Sequence, residues 1–66
     1  FFFFFWFALH QALFDFHGEL DCDLSFKKGD TIVVLTRTPK MDDWWEGQIV
    51  GQGRIGIFPA NRVKLL

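Results

Sequence analysis

The sequence predicts a single small all-β domain, either a barrel or a sandwich, and three observations support this. The chain has 66 residues, and chains divide into separate cores only well beyond about 250 residues. From Ala8 onward, Gly and Pro recur at short intervals, and apolar residues do not repeat with the 3.6-residue period of a helix. Several short runs have the composition of strands and are bounded by turn-forming residues.

The first clear strand is Thr31 to Thr36 (TIVVLT), a β-branched run that follows the polar turn Lys28-Gly29-Asp30. Because side chains alternate along a strand, we expect Ile32 and Val34 to share its inner face.

A hairpin is predicted in the second half of the chain. Residues 44–50 form one strand, residues 51–53 (GQG) form the turn, and residues 54–58 return antiparallel to it. Pro59 has no N–H for a strand ladder, so the chain turns there before a last short strand around Val63.

Alternation along these strands also predicts the core. We expect Gly47 to lie where a side chain would crowd that core. The predicted core residues are Ala12, Leu24, Phe26, Ile32, Val34, Ile49, Phe58 and Val63.

Charge distribution is more informative than the net charge of −1, which argues against a protein that binds nucleic-acid phosphates. If the fold brings the acidic stretches together, one edge is strongly acidic; otherwise they are ordinary solvated loops. One stretch holds Asp15, Glu19, Asp21 and Asp23, and the other holds Asp42, Asp43 and Glu46.

Neither a cofactor nor a structural metal is expected. Cys22 is the only cysteine, and with His10 and His17 it falls short of the four ligands of a closed zinc site. An unpaired cysteine fits a reducing compartment and favours the cytoplasm.

We do not expect an enzyme. No Ser–His–Asp or Cys–His catalytic set is evident, and Cys22 with His17 is only the nearest candidate pair. A barrel this small also offers little water-excluded volume for catalysis.

Residues 1–7 are all aromatic and hold more than half of the chain's aromatic residues. The apolar stretch ends by Leu9, short of the roughly 20 residues of a membrane-spanning helix, and no basic region precedes it as in a signal peptide. We interpret it as an artefact or as a packing segment. As a packing segment it lies on the barrel, on a membrane surface or on another copy, which would give self-association through Phe1 to Phe7.

Trp44 and Trp45 are adjacent in a predicted strand, so their rings point to opposite faces, and either only one lies in the core or both are partly exposed. An exposed indole beside acidic loops and other aromatic rings suits a polyproline II helix, whose ridges lie between flat rings. The acidic residues would then hold an Arg or Lys of that ligand.

Four motifs occur in order along the chain: ALFDF at residues 12–16, DLSFKKGD at 23–30, the pair Trp44-Trp45, and GIFPAN at 56–61. Together they resemble the Src-homology 3 (SH3) domain family over about residues 8–66. The resemblance implies an SH3-like barrel of five short antiparallel strands with a short 3-10 turn before the last strand, which binds proline-rich (PxxP) segments flanked by Arg or Lys.

By this resemblance, Phe14 and Phe16 line the proline pockets, Trp44 is the central ring, Pro59 is the floor and Asn61 donates or accepts a hydrogen bond. The alternative role for the aromatic rings is core packing.

The resemblance also implies two specificity loops. Residues 17–23 form the first loop and residues 37–43 form the second. Asp23 is the expected main partner of a ligand cation, preferably an Arg, whose planar fork matches a carboxylate. The other acidic residues of these loops are Glu19, Asp21, Asp42 and Asp43.

Two positions depart from the family pattern, and the chain has no Tyr. Arg62 stands where the family usually has Tyr, and Ile57 stands where a second aromatic residue is common. Arg62 is expected to stack over Phe14, to pair with an acidic loop residue, or to donate to ligand carbonyls. Because the chain has no Tyr hydroxyl to hydrogen-bond a ligand carbonyl, we expect weaker binding of ordinary PxxP ligands.

Two other function classes compete with capture of proline-rich segments. One is an assembly element, in which the aromatic run or the groove binds another copy of the chain or an internal helix of a parent protein. The other is a small nucleic-acid-binding barrel, because exposed aromatic rings also stack on bases, although the acidic loops oppose it.

Overall fold

The computed structural model describes residues 8–36, 38, 40 and 42–66. Five short strands and one 3-10 helix make up the described fold. In chain order they are β1 (Ala8–Ala12), β2 (Thr31–Thr36), β3 (Trp44–Ile49), β4 (Ile55–Pro59), the 3-10 helix (Ala60–Arg62) and β5 (Val63–Leu65).

The strands form one antiparallel sheet in the order β4-β3-β2-β1-β5. The all-β prediction, with five strands and a 3-10 turn before the last, is confirmed. Three strand ends differ by a residue from the prediction, and one of them is Pro59, which ends β4 as the cross-strand partner of Trp44 although a turn was expected at that residue. The chain begins to turn at Val50, where the backbone N–H of Gln52 donates to the Ile49 carbonyl, and β4 begins at Ile55 instead of Arg54.

Residues 13–30 connect β1 to β2 by a long excursion that folds back on itself. Phe16 and Phe26 exchange two backbone hydrogen bonds of 2.9 Å at the base of this excursion. Near its tip, the backbone of residues 22–24 hydrogen-bonds Ile57 on both sides, at 2.8 Å. The approach is close enough that a Cβ on Gly56 would lie 2.8 Å from the Leu24 nitrogen. The excursion therefore covers the outer edge of β4.

The core lies inside the curled sheet, and all eight predicted core residues are buried. Trp45 and Ala60 join them, together with the polar residues His10 and Asp23. The prediction for Gly47 is also confirmed, because a Cβ there would lie 2.7 Å from the Val33 carbonyl oxygen and 3.0 Å from the Phe58 ring.

The prediction for Phe1 to Phe7 lies outside the described residues. Within the described part of the chain, the helical content is limited to one short 3-10 turn, and no helix is long and apolar enough to cross a membrane.

Candidate functional site

Trp44 and Trp45 lie on opposite faces at the start of β3. Trp45 is 5% exposed and packs edge-on against the buried His10 ring at 5.6 Å, whereas Trp44 is 48% exposed. The prediction that one indole faces solvent is confirmed, and alternation in the strand is the cause.

The Trp44 ring forms one wall of a surface pocket of about 450 Å³, which we call the Trp44 pocket. Phe16 stands against Trp44 with ring centroids 5.7 Å apart and planes 76° from parallel. The first specificity loop supplies the facing wall. The residues lining the pocket are Phe16, His17, Glu19, Leu20, Asp23, Trp44 and Ile57.

Phe16 and Phe14 occupy different environments although they are two residues apart. Phe16 is half-buried, packs on the core and contacts Phe26 at 5.7 Å, so it combines a core role with a role in the site. Phe14 is 56% exposed and does not line the Trp44 pocket. An aromatic ring with that exposure is available to a ligand.

Pro59 and Asn61 lie at the end of β4 and in the 3-10 helix that follows, and neither lines the Trp44 pocket. Pro59 is the cross-strand partner of Trp44, and this fixes it beside the exposed indole. The 3-10 helix begins immediately afterwards and leaves Asn61 exposed. The backbone N–H of Ala60 donates to the Asp43 carbonyl at 2.9 Å, which ties the helix to the end of the second loop.

Asp23 is built into the protein interior. Its side chain is only 6% exposed, and its Oδ2 accepts the backbone N–H groups of Glu19 at 2.9 Å and Leu20 at 3.0 Å. A carboxylate used in this way shapes the first loop. Asp23 also lines the Trp44 pocket, so its expected role as the main partner of a ligand cation stays a prediction, which its low exposure does not favour.

The remaining acidic residues lie nearer to solvent. Glu19 is exposed and lines the Trp44 pocket, while Asp21 and Asp42 are exposed outside the lining. Asp43 is half-buried, and its Oδ2 accepts the Thr38 hydroxyl at 2.7 Å. Glu19 of the first loop therefore lines the same pocket as Trp44, which directly follows the acidic end of the second loop.

Arg54 ties the first loop to the hairpin. Its Nη2 donates to the carbonyl of Asp21 and, at 2.9 Å, to that of Asp23. Together with the turn held by the Asp23 carboxylate, this contact restrains the wall of the pocket before any ligand arrives.

Arg62 has neither of the protein partners expected from sequence. Its guanidinium lies over the Phe16 ring, not Phe14, with Cζ 6.0 Å from the ring centroid. Nη1 donates to the backbone carbonyl of Asp15 at 3.0 Å instead of pairing with an acidic loop side chain. The guanidinium is thus attached to the site through the ALFDF segment at residues 12–16.

Sequence reasoning missed three lining residues of the pocket: His17, Leu20 and Ile57. The available sequence signal for Leu20 was an apolar residue between Glu19 and Asp21, and the structure leaves it 67% exposed. The contribution of Ile57 follows from β4, where it is the cross-strand partner of Glu46 and its neighbours are buried.

A second pocket of about 510 Å³ lies beyond Phe16, and its lining combines Phe16, Phe26 and Ile49 with polar residues that include Lys27, Asp30 and Gln52. It contains neither tryptophan nor Glu19. An exposed indole and an accessible carboxylate therefore coincide at the Trp44 pocket.

Comparison with solved structures supports this fold closely. An SH3 domain of a Saccharomyces cerevisiae hypothetical 40.4 kDa protein, in complex with a peptide, superposes with a TM-score of 0.83 and 46% identity, covering 89% of this chain and 95% of that one. The Acanthamoeba myosin I SH3 domain bound to Acan125 gives a TM-score of 0.76 and 37% identity, with the same coverage of 89% and 95%.

Sequence comparison identifies the family. LAS seventeen-binding protein 3 of Saccharomyces cerevisiae is 49% identical over 55 residues, which is 83% of this chain and 12% of the relative. SH3 domain-containing YSC84-like protein 1 of Xenopus laevis is 52% identical over 54 residues, 82% of this chain and 16% of the relative. The chain thus spans a small part of these relatives. The family model described as SH3 domain matches residues 11–60, and the chain belongs to the SH3 domain family.

Proposed function

We propose that this domain is a non-catalytic interaction module that binds proline-rich segments carrying a flanking Arg or Lys. The observation that carries the proposal is the half-exposed Trp44, held against Phe16 beside the carboxylate of Glu19. The similar SH3 domain of the Saccharomyces cerevisiae 40.4 kDa protein was solved in complex with a peptide, which agrees with a peptide ligand.

The proline part of the ligand is assigned to the aromatic surface. A polyproline II helix has three residues per turn and a backbone free of internal hydrogen bonds, so it presents rigid apolar ridges and open carbonyls. The near-perpendicular rings of Trp44 and Phe16 offer two flat walls for one ridge. Exposed Phe14 offers another wall, and Asn61 offers an amide to a ligand carbonyl.

The cationic part of the ligand is assigned to the Trp44 pocket. Glu19 is our proposed partner for it, because that side chain is exposed and lines the pocket while Asp23 is engaged with backbone N–H groups. The exposed carboxylates of Asp21 and Asp42 add a longer-range attraction, which raises the association rate more than the affinity.

We propose affinities of about micromolar strength, as expected for a small and partly wet interface. We also infer a cytoplasmic location, since Cys22 is free and exposed and a reducing compartment keeps such a thiol unpaired. As a segment of a longer protein, the domain would recruit proline-rich partners to its parent chain.

The test is a binding titration of peptides that contain PxxP and one Arg, placed before or after the motif. Glu19→Gln is expected to lower the affinity for the Arg peptide by about twofold to fivefold, as for a partly exposed ion pair. The affinity for a peptide in which Arg is replaced by Ala should not change. Asp21→Asn removes the same charge outside the pocket lining and serves as the matched control. Failure of the wild-type chain to bind any such peptide would refute the proposal.

A further inference from the structure

Arg62 places a positive charge next to the aromatic surface, outside the Trp44 pocket. Phe16 contacts both Trp44 and Arg62. Its ring centroid lies 5.7 Å from the Trp44 ring centroid and 6.0 Å from the Arg62 Cζ. The distance from the Trp44 ring to the guanidinium cannot exceed the sum of these two separations. A polyproline II helix rises ~3.1 Å per residue, so about four of its residues span that distance. One extended ligand can therefore touch both.

No carboxylate forms an ion pair with the Arg62 guanidinium among the residues that the structure describes. Its guanidinium contacts there are the Asp15 carbonyl and the Phe16 ring. The neighbouring Asp15 carboxylate accepts the backbone N–H of Lys28 at 2.7 Å instead. A guanidinium has five N–H donors, so most of them stay free for a ligand.

The two contacts also restrain the guanidinium. The Phe16 face and the Asp15 carbonyl fix the Arg62 side chain near one orientation, which lowers the entropy lost when a ligand binds. A restrained planar fork with free donors matches a carboxylate, which accepts two parallel hydrogen bonds.

We propose that Arg62 is a specificity-determining residue that selects proline-rich ligands carrying a Glu or Asp. This rests on the proposed peptide function and adds a second charge requirement to it. The preferred ligand has a cation in the Trp44 pocket, beside Glu19, and an anion within about four residues of the part that contacts Trp44. A cation and an anion separated in this way also fix the direction in which the peptide lies.

The experiment uses a peptide set with a common PxxP core and one Arg, in both orientations. Each peptide carries a single Glu or, as its neutral isostere, a single Gln, moved through the four positions on the side away from the Arg. At one position, the wild-type chain is expected to bind the Glu peptide about threefold to tenfold more tightly than the Gln peptide at low salt. The preference for Glu over Gln should be smaller in 0.5 M salt, because salt screens the attraction between exposed charges more strongly than at the physiological ~0.15 M.

Variants assign the preference to Arg62. Arg62→Gln should abolish it, and Arg62→Lys should keep part of it, because the charge stays while the planar fork is lost. Lys64→Gln removes the same charge from the exposed β5 position opposite Gln11 and should keep all of it. Thermal unfolding of each variant verifies that it is folded.

The outcomes separate this inference from the proposed function. Equal binding of the Glu and Gln peptides at every position overturns acid selection and leaves proline-rich binding intact. A Glu preference that survives in Arg62→Gln also overturns it, because another cation would then be responsible. If no peptide binds to the wild-type chain, the proposed function and the inference fail together.

Discussion

Trp44 and Trp45 are adjacent in β3, yet the first indole is 48% exposed and the second is 5% exposed. The same strand therefore supplies one ring to the exposed Trp44 pocket and one to the core. Since the two side chains are chemically identical, they allow binding and stability to be separated by the same substitution at neighbouring positions.

Trp44→Ala is expected to weaken peptide binding by about 30-fold or more, as truncation of an aromatic hot-spot residue does. Trp45→Ala is expected to cost about 3–5 kcal/mol of unfolding free energy, which rivals the whole stability of so small a domain. Peptide titration and urea denaturation of both variants provide the measurement. Similar losses of stability in the two variants would contradict the assignment.

Asp23→Ala is expected to lower the unfolding free energy by about 1–3 kcal/mol, because the Glu19 and Leu20 N–H groups lose their acceptor. The exposed Asp21 makes no side-chain hydrogen bond to a described residue, so Asp21→Ala is the matched control and should change stability little. Equal stabilities of the two variants in urea denaturation would show that the Asp23 carboxylate does not hold the loop.

Gly47→Ala is expected to destabilise the domain by about 1–3 kcal/mol, since its Cβ would meet the Val33 carbonyl at 2.7 Å. Gly53→Ala is the control, because a Cβ there meets nothing within 4 Å. Thermal unfolding distinguishes them, and a Gly47→Ala domain as stable as the control would show that the strands relax at no cost.

Arg62→Tyr is expected to strengthen binding of a PxxP peptide that carries no acidic residue. The phenol adds apolar area and a hydroxyl donor for a ligand carbonyl at the position where the family usually has Tyr. Fluorescence titration measures the change. Unchanged or weaker binding would indicate that Arg62 itself serves such ligands.

Deletion of residues 1–7 tests self-association through the aromatic run. If that run joins copies of the chain, sedimentation velocity should change from concentration-dependent to monomeric in the shortened chain, which keeps all five strands. Identical profiles before and after deletion would remove this hypothesis.

Local patterns predicted the fold because each strand carries its own signal. The β-branched run Thr31 to Thr36 became β2 with the predicted bounds, and Ile32 and Val34 are buried together. Alternation also predicted that Trp44 and Trp45 divide between two faces. It could not decide which ring faces inward, because that depends on the packing of His10 from another strand.

The parts of the site that sequence did not predict depend on loop packing. The burial of Asp23 follows from the folding of residues 13–30 against β4, a contact between segments more than 30 positions apart. Likewise, the contact of Arg62 with Phe16 instead of Phe14 depends on where the 3-10 helix ends relative to that excursion. Neither pairing has a local sequence signal.

The most direct test of the account is an NMR titration of the ¹⁵N-labelled chain with an Arg-bearing PxxP peptide. The indole N–H signal of Trp44 should shift progressively, together with the amide signals of Phe16, Glu19 and Asn61. The indole N–H signal of the buried Trp45 should not shift. Perturbations confined to the second pocket around Lys27 and Gln52, or a Trp44 signal that does not move at saturation, would contradict it.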